Sequence, residues 1–417
     1  MVVLLAMPFP AGGQTREEDR ELFDEGQYFL NRKDYREAAF YFKRIADKHQ
    51  DNANFSFKLG ECYMNMPGSE SLAIPYFEKA ILQTVSRKQF REKDFAETRA
   101  PLHALFYLGN VYRMKNRLDD ALRVYNVFIS SPFYYGNYNE NIVDNEIRSC
   151  ERAKIIQDNP VSVVEQVLDT MINTNASELY PVITRDESTL VFLRKLKFYD
   201  AIFLTTRKGD TWSQPENLNP IIGSDGEYYP ACLSADGNEL FLVKTGGDSD
   251  IWLSVRQAAG WSKAMKLKGN INSRADETSA WISADGKKLY FTSSRKRGQG
   301  GKDIYYVRRD QDGEWGRAHN LGKEVNTAFD EENPCLINDS TLFFSSKGHY
   351  SMGGYDIFST SYRGNTWSEP VNLGFPVNDT GDNLGFVAIR NGKAGYYARM
   401  NLRDPLREAD VYRVDFK

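Results

Sequence analysis

The chain has 417 residues, 41% hydrophobic and 26% charged, with a formal net charge of −4. That length holds two or three domains with cores of their own, and a near-balanced charge with no long run of one sign excludes nucleic-acid binding as the expected function. Cys62, Cys150, Cys232 and Cys335 lie far apart with no CxxC pair, which argues against a zinc site, a redox motif and a disulfide framework.

Residues 1–14 open with about ten apolar residues and then Ala11-Gly12-Gly13, the pattern of a signal-peptide core followed by a small-residue cleavage site. No basic segment precedes it, which leaves two readings, a start further upstream or a plain apolar tail; export is the expectation. No cysteine follows to carry a lipid, and no later stretch approaches the ~18 apolar residues of a membrane span.

Residues 15–157 carry a helical repeat. Gly26, Gly60 and Gly109 are each followed three residues later by an aromatic (Phe29, Tyr63, Tyr112), then by Ala38, Ala73 and Ala121, then by Phe42, Phe77 and Tyr125. Gly26 and Gly60 are 34 residues apart; the next interval is longer and includes the polar stretch Gln83–Arg99, placed to fill part of a groove. Small residues let paired helices approach, and the aromatics are expected to fill the space against the neighbouring repeat. Ile142–Gln157 reads as a capping amphipathic helix. The pattern resembles tetratricopeptide repeats, with a plain helical spacer as the other reading.

From about residue 160 short alternating strands take over. One unit runs Glu277-Thr-Ser-Ala-Trp-Ile-Ser-Ala-Asp-Gly286, Leu289-Tyr-Phe291, Gly300-Gly-Lys-Asp-Ile-Tyr305, Trp315 and Asn320-Leu-Gly322, and the same order recurs from Glu178, Glu227, Glu331 and Asp382. Each unit supplies four strands, with an Asp-Gly turn after the first in the units from Glu227 and Glu277, as a propeller blade does. The last unit stops after its third strand, and Val161–Met171 reads as the missing fourth. The expectation is an α+β multidomain chain: an N-terminal tetratricopeptide α-solenoid, then an all-β five-bladed propeller over 158–417 closed by strand 161–171.

The Ser-x-Asp-Gly, Leu-Tyr-Phe and Gly-Gly-x-Asp-Ile-Tyr motifs resemble the WD40-like repeats of TolB-type and OmpA-associated envelope proteins. Tetratricopeptide repeats followed by such a propeller resemble PorE-type periplasmic proteins of type IX secretion in Bacteroidetes. The resemblance implies scaffolding among envelope proteins at the periplasm or outer membrane, in secretion or gliding. That family continues into a peptidoglycan-binding OmpA-like domain; the sequence stops at Lys417 inside the propeller, so peptidoglycan anchoring is not expected of it.

Catalytic patterns are sparse. The four histidines (His49, His103, His319, His349) form no HExxH, and no GxSxG elbow, P-loop or dinucleotide fingerprint occurs. The expectation is a non-enzyme without metal or cofactor. Three sets of residues remain as binding candidates. Glu178, Glu227, Glu277, Glu331 and Asp382, one per unit, would stand around one mouth of the channel, able to attract a cation or basic peptide or to take hydrogen bonds within their own blades. Arg295, Lys296, Arg297 and Lys302, with His349 and Tyr350, would form a propeller-face loop surface, His349 reading as a solvated loop residue. Tyr28, Lys58, Asn65, Phe106, Asn110 and Arg113 would line the groove of the helical repeats and hold a partner peptide. The aspartates Asp250, Asp303, Asp356 and Asp410 read as turn acceptors, and Trp212, Trp261, Trp315 and Trp367 as packing between blades. Sugar stacking on these rings, and glycan or peptidoglycan-fragment binding by the propeller face, is the alternative function.

Overall fold

The computed structural model describes residues 11–66, 68–338, 340–399 and 409–417. The expected signal segment 1–14 lies outside them, except that Ala11–Gln14 begin the first helix. The chain divides into two compact units, Met1–Ile147 and Arg148–Lys417. The division falls inside helix Glu140–Asp158, because the later turns of that helix pack on propeller loops: Arg152 donates to the His349 carbonyl (3.0 Å) and covers the Tyr350 ring.

The first unit is built of helix pairs: α1 (Ala11–Asn31) with α2 (Tyr35–Lys48), α3 (Ala53–Met64) with α4 (Glu70–Ala80), and α5 (Ala104–Met114) with α6 (Leu118–Ile129), followed by the start of α7 (Glu140–Asp158). Side-chain caps fix two starts. Asp34 accepts the Glu37 N–H (3.3 Å) and Asn52 the Phe55 N–H (3.0 Å). A Cβ on Gly26 or Gly60 would sit 2.9 or 2.8 Å from the rings of Phe42 and Phe77, and one on Gly109 closer still to Tyr125. Each buried aromatic therefore packs on the glycine of its own repeat, and Phe42 and Phe77 also meet the next repeat, at Lys58 and Tyr107, as the spacing suggested. The Gln83–Arg99 insertion folds back on the stack. Thr84–Val85 pairs in parallel with Ala100–Pro101, the Asn54 side chain donates to the Glu97 carbonyl, and Phe95 packs on Phe23 and Phe55.

The second unit is a five-bladed propeller of antiparallel sheets. Innermost strands are Glu178–Ile183, Tyr228–Leu233, Glu277–Ile282, Glu331–Asn338 and Val387–Ile389. Each runs outward through two further strands to a short, broken fourth one. In the fifth blade the outer strand is Val163–Val167, which pairs antiparallel with Asp410–Phe416 at the other end of the unit. The second strand of each of the first four blades is a continuous buried run, covered on both faces, which gives the apolar layers that hold Phe192, Phe241, Phe291 and Phe344.

One polar contact repeats at every blade boundary. Asn173, Asn219, Asn272, Asn326 and Asn378 each accept, through Oδ1, the backbone N–H that opens the third strand of the preceding blade: Val411, Ile202, Ile251, Ile304 and Ile357, at 2.7–2.9 Å. Four of them donate Nδ2 back to the carbonyl of the same residue (2.8–3.0 Å); Asn219 donates to Asp200 instead. A buried aliphatic residue (Ile172, Leu218, Ile271, Val325, Val377) precedes each asparagine and pins it.

The Asn173 clamp joins the two ends of the ring. Asn173→Ala strands a buried N–H, for which an order-of-magnitude cost is ~1–3 kcal/mol. Chemical denaturation should show that loss, and a loss no larger than that of an exposed Asn→Ala change would contradict it.

Candidate functional site

The innermost strands place three of the five candidate carboxylates in one register. Glu178, Glu277 and Glu331 each head an innermost strand with no solvent exposure. Each is held by the Ser or Thr four residues earlier, which donates both its N–H and its hydroxyl at 2.7–3.1 Å: Thr174, Ser273 and Thr327. Arg194 completes the shell at Glu178 (2.8 Å), with its guanidinium over Phe192 and Phe203. At Glu277 the partners are Ser293 (2.6 Å) and Arg295 (3.1 Å), the latter over Phe291 and Tyr305. Glu331 has Ser346 (2.7 Å) and no arginine.

Glu227 and Asp382 do not belong to this set. Tyr228 pairs with Lys244 where Glu277 pairs with Ser293 and Glu331 with Ser346, so Glu227 sits one residue too early. In the fifth blade the matching position is Asn383, which accepts the Asp379 N–H and donates its own N–H to Tyr355 as Glu331 does to Lys302. The expected ring of five carboxylates is corrected to three buried, bonded ones. The distinguishing signal was in the sequence: a Ser or Thr four residues ahead of Glu178, Glu277 and Glu331, but three ahead of Glu227.

The channel itself is narrow. Residues from all five innermost strands, with Tyr180 stacked on Tyr229 at 4.6 Å, leave a void of about 20 Å³, room for roughly one water. Among the described residues no group of three or more His, Cys, Asp or Glu is placed to hold a metal ion, and no helix is long and apolar enough to cross a membrane.

The propeller-face set is split. Arg295 is spent on Glu277 and on the Ile271 carbonyl, and Lys302 bonds Glu332. His349 is half-buried and bonded where a solvated loop residue was expected: its Nε2 lies 2.8 Å from the Val325 carbonyl, its ring meets Phe344 and Phe358, and burial lowers its pKa. Lys296, Arg297 and Tyr350 remain exposed. Asp303 and Asp356 accept N–H groups of their own loops and the side chains of Asn320 and Asn372.

The helical set needs correction too. Lys58 is fully buried, its ammonium on Gln27 (2.5 Å) and near the Phe23 and Phe42 rings. Arg113 is buried against Glu146 (2.7 Å), and Asn110 accepts the Tyr125 hydroxyl (2.7 Å). These three hold the stack together, so truncating Asn110 and Arg113 is not neutral to the fold. Tyr28 and Asn65 are exposed, bonded to Arg32 and to the Glu61 carbonyl. Phe106 lines a pocket of about 540 Å³ whose other walls are Phe57, Glu61, Phe90, His103 and Tyr138, among others. Burial, helped by Arg87, takes the His103 pKa down to about 4, so the ring is neutral at pH 7.

Residues 23–88 and 103–132 match the tetratricopeptide repeat family, in agreement with the helix pairs. No curated protein matches the chain. Similar solved structures include TolB from Acinetobacter baumannii (15% identity, TM-score 0.38, covering 58% of this chain and 55% of that one). Another is an α-L-arabinofuranosidase from Lactobacillus brevis (14%, TM-score 0.41, 58% and 92%). The chain thus spans about half the length of that TolB.

Two expectations follow from the carboxylates. Their oxygens are already taken by hydroxyls, N–H groups and arginines, so calcium should leave the melting temperature unchanged; a rise that depends on calcium concentration would reveal an open site. Glu331, desolvated and lacking an arginine, has its pKa raised from 4.5 to about 7. Its contribution to stability is therefore fully present below about pH 4.5 and is lost as pH rises through 7, by about 3 kcal/mol at most. Glu331→Gln should flatten that part of the stability–pH curve, and an unchanged curve would refute the assignment.

Proposed function

We propose that the chain is a non-catalytic scaffold of the cell envelope, binding partner proteins through its helical repeats and using the propeller as a rigid platform. The observation that carries this reading is the tetratricopeptide unit with its open, aromatic-lined pocket, since stacked helix pairs of this kind present a concave surface to peptides. The use made of the polar groups supports the same reading. Glu178, Glu277 and Glu331 are bound up within their blades, His49 lies on Asp19, and His349 is packed on Val325. A periplasmic or outer-membrane location, with envelope proteins as partners and a role in type IX secretion or gliding, is proposed from the order of repeats and from the apolar start of the sequence. A void of about 20 Å³ admits no sugar ring inside the channel, so glycan or peptidoglycan-fragment binding, the alternative, falls to the loop-bearing propeller face.

In the native host, the tagged chain should fractionate with the envelope, and in-cell cross-linking should place partner peptides mainly on residues of the Met1–Ile147 unit. Recovery in the cytoplasmic fraction would overturn the location. Cross-links confined to the propeller would overturn the assignment of the binding unit.

A further inference from the structure

The pocket in the helical unit holds a carboxylate that the protein itself does not neutralise. Glu61 lies on α3, facing the space enclosed by Phe57, Phe90, His103, Phe106 and Tyr138. Its carboxyl group forms no hydrogen bond or ion pair among the described residues, and it is half-buried. Desolvation raises its pKa, Glu92 raises it further, and only Lys58 opposes the shift. Lys58 cannot approach, because its ammonium is fixed on Gln27 beneath the stack.

The other charged groups on the walls sharpen the picture. The insertion contributes Glu92, exposed at the rim, and Arg87, whose influence falls on His103 and Tyr138 and not on Glu61. The residue that precedes α5, His103, is neutral at pH 7. From the α7 side come Asn139, Ile142 and Val143, none of them charged. The Tyr138 hydroxyl is approached by the His103 backbone N–H yet makes no well-formed hydrogen bond. An isolated carboxylate in an aromatic cavity is costly unless a cation meets it, and the ring faces around it attract cations as well.

We infer that this pocket receives a Lys or Arg side chain of a partner peptide, its charge on Glu61 and its stem between the aromatic rings, with Glu92 guiding it in from the rim. The inference rests on the scaffold reading and adds the chemistry of the partner. An Arg plane could stack on Phe57 or Tyr107, which already lie nearly parallel, 5.9 Å apart. Release at low pH follows, since protonating Glu61 removes the pairing charge while His103 stays neutral until about pH 4.

A displayed library of random dodecapeptides, selected against the full chain at pH 7.5, tests it. Enriched peptides should share a Lys or Arg, and a selected peptide should bind Glu61→Gln more weakly by about ten-fold or more. Its affinity should also fall as the pH is lowered, less so in the variant. Glu61→Gln should melt no lower than the parent, because it removes a desolvated charge, so weakened binding will not reflect unfolding. Selected peptides that are acidic or uncharged, binding indifferent to Glu61→Gln, or no enrichment would each overturn the inference. The cross-linking of partners to the helical unit would then still stand or fall on its own.

Discussion

Closing a propeller requires the chain to turn from the outer strand of one blade to the inner strand of the next without leaving buried backbone groups unpaired. Here the turn is held by the side-chain amide of an asparagine. One amide offers an acceptor and a donor, which is what an N–H and a carbonyl at the start of a third strand need. The carbonyls of Ile251, Ile304 and Ile357 take a second bond from the leucine backbone of the broken fourth strand, at Leu267, Leu321 and Leu373. Both lone pairs are thereby used. Asn173 and Leu168 make the same pair of contacts to Val411, and there the clamp does more than join neighbours in sequence: it ties the segment after α7 to the last strand of the chain.

The carboxylates depend on this geometry. Four of the five asparagines are followed by the Thr, Ser or Asp that opens the loop into the next inner strand, at Thr174, Ser273, Thr327 and Asp379, while Asn219 is followed by Pro220. Where four residues then separate that opener from a glutamate, the carboxylate swings back to take the opener's N–H and hydroxyl. In the second blade Asn219 instead opens a helical turn (Asn219–Ile222), the segment to the inner strand is longer, and Glu227 falls just before that strand beside Lys244 (3.4 Å). Arg194 and Arg295 start from different positions on their strands yet converge on equivalent glutamates, each also binding the carbonyl of the residue before the asparagine, Ile172 or Ile271. Glu331 lacks that cation and alone relies on hydroxyls and an N–H.

Much of the architecture was legible in the residues. The Gly–aromatic spacing located the helix pairs, since no side chain fits between Gly109 and Tyr125, and the recurring Asp-Gly turns with Leu-Tyr-Phe runs located the blades. The orphan apolar strand after α7 carried the closing pairing with Asp410–Phe416. Side-chain direction was less legible. A repeat of about 50 residues does not distinguish Glu227 from Tyr228, because the different loop after Asn219 moves the glutamate one position off register, and a one-residue shift turns a strand side chain to the other face. Lys58 and Arg113 carry charge, which suggests solvent, but Gln27 and Glu146 lie far off in sequence and bury them. The asparagine clamp was present as Ile-Asn or Val-Asn at four boundaries, masked by shorter motifs nearby. The pocket at Glu61 draws on the insertion, α3, α5 and the segment before α7, an assembly that no single repeat announces.

The helical unit and the propeller thus differ in their buried acids: the propeller holds Glu178, Glu277 and Glu331 within their own blades, while the helical unit leaves the Glu61 carboxyl group among aromatic rings. The claim on which the propeller account rests is that Asn173 closes the ring as firmly as the other four asparagines join its blades. Native-state hydrogen exchange measures it directly at the backbone N–H groups of Ile202, Ile251, Ile304, Ile357 and Val411. The account predicts that Val411 exchanges as slowly as the other four, through the same global opening. Fast exchange at Val411 alone would show a ring that opens at its seam and would contradict it.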